Sequence, residues 1–87
     1  MKHATAAALE SLSDLLEQIR RKDRIKEKKL GIFYRKSKPL LHFHEDPAGL
    51  FADLNTGTQF TRYPVSTKEE RSAFLRAIDR RLGPSIS

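Results

Sequence analysis

His42-Phe43-His44-Glu45-Asp46 is the stretch of this 87-residue chain whose residue types and spacing best suit chemistry. Side chains alternate in direction along a strand, so His42 and His44 share a face and could offer two imidazoles to one metal ion. Glu45 or Asp46 could add an oxygen. Asp53 becomes a third donor if the Asp46-Pro47-Ala48-Gly49 turn folds its strand back alongside, giving the candidate metal set His42, His44 and Asp53. The same histidines equally suit an ordinary sheet face on which imidazoles bond to acids or water.

A second chemical feature is charge. Residues 20–38 carry ten basic side chains against Asp23 and Glu27, whereas the other 68 residues hold seven basic and nine acidic groups. The formal charge of +6 is therefore one segment of +8 on a slightly acidic remainder. Such a block can neutralise phosphates, which makes Arg20, Arg21, Lys22, Arg24, Lys26, Lys28, Lys29, Arg35, Lys36 and Lys38 the candidate nucleic-acid contacts. The plain alternative is a solvated helix end followed by a linker.

Other chemistry is not signalled. There is no cysteine, so disulfides, thiolate metal sites and a cysteine nucleophile are excluded. No Gly-rich phosphate loop, nucleophile elbow or His-Glu-x-x-His helix is present, and the expectation is a non-enzymatic protein without a cofactor. The length allows one small domain, residues 1–87. No run approaches the roughly 20 apolar residues of a membrane span and no signal-peptide core is visible, so a cytoplasmic protein with no membrane partner is expected.

The elements that must position these residues are legible in outline. Leu9, Leu12, Leu16 and Ile19, widened by Leu15, form a helical stripe that predicts a helix over about 5–22 with Thr5 as its N-cap. Residues 22–30 read as a basic connection. Strands are expected over about 31–36, 40–44, 50–54 and 59–65, punctuated by turn signals, with Pro64 placing the last at an edge. Thr67 and Glu70 form a capping box, or Ser66 and Glu69 one residue earlier, for a helix over about 67–82 that Gly83-Pro84 ends. A disordered tail, 84–87, follows.

Short connections make the strands an antiparallel four-stranded meander, with both helices on one face of a two-layer α+β domain. The expected core centres on Leu12, Leu16, Ile19, Phe33, Leu41, Phe43, Tyr63, Phe74, Ile78 and Leu82. The other face would receive Leu40, His42 and His44, with some of Tyr34, Phe51, Phe60 and Arg62. A face mixing aromatic and basic groups suits a protein partner, a second copy of the chain, or single-stranded nucleic acid.

The segment Gly31 to Asp53, with its Phe33-Tyr34-Arg35-Lys36-Ser37-Lys38 and Leu41-His42-Phe43-His44-Glu45-Asp46-Pro47-Ala48-Gly49-Leu50 runs, resembles small bacterial proteins of uncharacterised function. The resemblance covers about a quarter of the chain. It implies a bacterial cytoplasmic origin and brings no activity or site. The leading expectation is thus a protein-interaction or self-associating module. Nucleic-acid binding through residues 20–38 with the open sheet face stands second, and divalent metal binding at His42, His44 and Asp53 third.

Overall fold

Thr5 starts the first helix, its hydroxyl accepting the Ala8 N–H at 3.3 Å. The structure, a computed structural model, describes residues 2–84. The expected single helix is two: α1, Ala6–Ser11, and α2, Ser13–Arg20, interrupted at Leu12. Ser11 Oγ donates to the Ala8 carbonyl, and the Leu12 N–H bonds Leu9 O three residues back, which tightens the turn there. The apolar stripe survives the break, and Leu9, Leu12, Leu15, Leu16 and Ile19 are all buried.

The basic connection over residues 22–30 is corrected by a strand. After a turn with Arg24 at φ 70°, β2 (Lys26–Lys29) pairs antiparallel with β3 (Ile32–Arg35). Lys-Glu-Lys-Lys has no strand-like composition, but a charged edge strand is a common protection against edge-to-edge pairing. Glu27 anchors it, accepting two bonds from Arg20 and the Gly31 N–H at 2.8 Å, while Lys28 Nζ lies 4.8 Å from the centre of the Tyr34 ring. Arg20 above all holds the Glu27 carboxyl below its ordinary range. A carboxyl lowered in the folded state contributes stability that is present above its unfolded pKa and lost as pH falls through the folded value. Glu27→Gln is therefore expected to lose about 1 kcal/mol at pH 7, with the difference from wild type closing below about pH 4. Urea melts at both pH values read this, and a gap that widens in acid would contradict it.

The β2–β3 turn depends on Gly31, at φ 77°, where a Cβ would lie 2.7 Å from Leu9 Cδ2. Gly31→Ala meets both left-handed backbone and a side chain of the core. A loss of about 1–3 kcal/mol in urea denaturation is expected, and an unchanged midpoint would contradict this.

Beyond this hairpin the sheet continues through β4 (Lys38–Asp46), β5 (Gly49–Asn55) and β6 (Phe60–Pro64). The order is β2-β3-β4-β5-β6, and a two-residue strand β1 (Lys2–His3) joins β4. The architecture is α+β with an antiparallel sheet, but the four-stranded meander gains a strand at each of two places. Phe33 pairs with Leu41 whereas Tyr34 pairs with Pro39, a register shift that leaves Leu40 as the extra residue on β4. Leu40, expected on the open face, is consequently 2% exposed and part of the core.

The last helix, α3 (Lys68–Leu82), begins at the Thr67–Glu70 capping box, each side chain bonding the other residue's N–H. Arg24 donates to the carbonyls of Leu82 and Gly83 at its end. Phe74 and Ile78 of α3 share one core with the α1–α2 stripe and with Phe33, Leu41, Phe43, Ala52 and Leu54 of the sheet. Tyr63 is partly buried, its ring centre 5.5 Å from that of Phe74. Of the expected disordered tail, Ser85, Ile86 and Ser87 lie outside the described residues. No helix among the described residues is long and apolar enough to cross a membrane.

Candidate metal centre

Phe43 points into the core, so strand alternation sends His42 and His44 to the opposite face of β4. Register completes the set. His42 stands directly across from Asp53 of β5, and Asp53 across from Arg62 of β6. The structure thus brings His42, His44 and Asp53 together, with one donor atom from each inside a group spanning no more than 4.8 Å.

Two of the three spacings suit a small ion, and the widest, up to 4.8 Å, must shorten for all three donors to reach it. Asp53 Oδ2 lies 3.0 Å from His44 Nε2 and 3.5 Å from His42 Nε2. Tetrahedral bonds of about 2.0–2.1 Å put neighbouring ligand atoms about 3.3–3.4 Å apart, between those two values. Burial adds a second observation. Neither nitrogen of His44 makes a hydrogen bond although both are buried, and the nearest polar group to Nε2 is the Asp53 carboxylate. Buried nitrogens that make no hydrogen bond are costly and call for an explanation, and a coordinated ion supplies one.

Asp53 is held for the task. Arg62 donates to it twice, Nε to Oδ1 at 2.8 Å and the terminal Nη2 to Oδ2 at 2.9 Å. The guanidinium holds the Asp53 carboxyl below its usual range, and thus ionised, while fixing its orientation as an outer partner does for a ligating carboxylate. Burial, followed by the neighbouring His44, pushes the His42 imidazole below its ordinary pKa. That favours the neutral ring a metal requires. Because Arg62 offsets the one carboxylate, the set has two imidazoles and little net charge. Such a site suits zinc or a similar nitrogen-seeking ion and gives a hard, oxygen-seeking ion such as magnesium little to bind.

The sequence alone did not reveal His3. Pairing of β1 with β4 sets His3 opposite His44, and their rings stack with centres 4.9 Å apart, while the His42 ring centre is 5.8 Å from that of His3. A two-residue strand has no readable periodicity, and its partner is some forty residues away; the only local signal was Thr5, which caps α1 and donates its N–H to Glu45 Oε1 at 2.7 Å. Glu45 is thereby taken from the list of donors. His3 and His42 also line a cavity of about 140 Å³ with Leu9, Leu30 and Gly31.

The ten basic residues of the candidate nucleic-acid segment do not act alike. Arg20 binds Glu27, Lys22 pairs with Asp79 of α3, Arg24 caps α3, and Lys28 covers Tyr34. Arg21, Lys26 and Lys29 are exposed, whereas Arg35, Lys36 and Lys38 gather at the β3–β4 turn. Large apolar side chains exposed among the described residues are Leu30 and Phe60, and Phe60 packs edge-on to His42 with ring centres 5.1 Å apart. No family model, curated protein or solved structure matches the chain.

Proposed function

We propose that this protein binds a divalent transition-metal ion of the zinc class through His42, His44 and Asp53. The single observation behind this reading is the convergence of three donor atoms on a partly buried spot where both nitrogens of His44 lack hydrogen bonds. Arg62 acts as the outer partner that orients Asp53, and the fourth coordination position is left for water or for His3. A site of this kind contributes stability, because the ion binds the folded chain and finds no preformed site in the unfolded one.

Calorimetric titration of the protein with zinc and, separately, with magnesium tests it. One saturable zinc ion per chain, with no magnesium heat, is the expected outcome. Equal responses to the two ions, or no saturable zinc binding at neutral pH, would remove the proposal.

A further inference from the structure

Antiparallel pairing puts the β3–β4 turn and the β5–β6 turn at the same end of the sheet, and α3, running back after β6, brings its last turn there. Between them lies a cavity of about 350 Å³, lined by Arg35, Lys36 and Lys38 of the first turn, Asn55 at the second and Arg81 of α3. No acid lines it. Four cations sharing a concave space without a counter-charge repel one another, and an anion seated among them would relieve that repulsion.

One donor is held in place and the turn carrying the others is tight. Arg81 Nε donates to the Asn55 carbonyl at 2.7 Å, which fixes the guanidinium and leaves its four terminal N–H groups for other acceptors. Lys36 has φ 59°, the left-handed conformation that tightens the turn carrying Arg35 and Lys38 on either side of it. A planar guanidinium with flanking ammonium groups is the donor set that suits the oxygens of a phosphate. The volume falls at the lower end of the range for small-molecule sites, about 300–1,000 Å³, and Pro39 supplies an apolar wall.

We infer that this end of the domain binds the phosphate group of a small phosphorylated molecule of about nucleotide size. The occupant is small rather than a polynucleotide. Of the residues that would extend the basic track away from the cavity, Arg20, Lys22 and Arg24 are tied to Glu27, Asp79 and the α3 carbonyls, which leaves Arg21, Lys26 and Lys29 exposed as separate charges. This site is independent of the metal proposal.

The test follows backbone and Arg Nε–Hε resonances during titration with inorganic phosphate, adenosine monophosphate and a twenty-residue thymidine oligonucleotide, all at the same ionic strength set with chloride. Expected are saturable shifts at residues 35–38 and at Arg81 with the monophosphate. Lys38→Gln should weaken them about tenfold, and Arg21→Gln, at an exposed position outside the cavity, should leave them unchanged. Because the ligand binds the folded state, monophosphate should also raise the thermal midpoint of wild type more than that of Lys38→Gln. Three outcomes overturn the inference: shifts that grow without saturation over all exposed basic residues, equal responses of the two variants, or binding of the oligonucleotide alone.

Discussion

His44→Leu is expected to weaken zinc binding at least about 100-fold while leaving the metal-free protein as stable as wild type or about 1 kcal/mol more stable. The two effects have one cause. His44 contributes a donor atom that the metal needs, but in the absence of metal its buried nitrogens have given up water and gained no hydrogen bond. Leucine has a similar volume and no polar atom to desolvate, so it removes the ligand and the penalty together. Calorimetry with zinc and urea denaturation in a chelator measure the two halves. Retained zinc affinity would contradict the assignment of His44 as a ligand. A metal-free variant destabilised by more than about 1 kcal/mol would show instead that His44 serves the fold.

Phe74→Ala should have the largest effect on folding. Phe74 is fully buried where α3 crosses the sheet, with ring centres 6.2 Å from Phe43 and 5.5 Å from Tyr63. Truncating a buried phenylalanine costs about 3–5 kcal/mol, a large fraction of the roughly 4–13 kcal/mol that a domain of this length has in total. The variant is therefore expected to be partly unfolded at 37 °C by circular dichroism. Its contact with Phe43 connects the core to the site, since Phe43 sits between His42 and His44 and faces the other way. If the proposed site binds zinc, a hundredfold excess over its dissociation constant is expected to add about 2.7 kcal/mol to the folded state, enough to recover most of the lost midpoint. A Phe74→Ala protein that melts like wild type would show the core to be packed elsewhere.

These elements differ in how much of them local sequence could show. The Thr67–Glu70 box and the alternation through Leu41-His42-Phe43-His44 are set by neighbours a few residues away and form where their patterns indicate, and the stripe from Leu9 to Ile19 is buried as its spacing indicates although the helix carrying it breaks at Leu12. Asp53 could be placed beside His42 because one short turn links their strands, which fixes the register. The features that escaped depend on distant partners or on composition that points elsewhere. Lys26–Lys29 has the composition of a solvated linker and becomes a strand through Glu27, Arg20 and the Gly31 turn. Leu40 enters the core because of a bulge, and a single shifted pair leaves no trace in a hydrophobic pattern. His3 reaches the other imidazoles only through a pairing with the middle of the chain. The basic run likewise looked uniform along the sequence, although folding uses some of its side chains internally and gathers others with Arg81.

The central claim is that His42, His44 and Asp53 form one coordination sphere. X-ray absorption at the zinc edge of protein loaded with one equivalent of zinc measures that sphere directly. The account predicts at least two imidazole rings and one carboxylate oxygen at about 2.0–2.2 Å, in a four-coordinate shell from which one imidazole is lost in His44→Leu. A shell of oxygen atoms alone, or one whose imidazole signal is the same in wild type and His44→Leu, would contradict it.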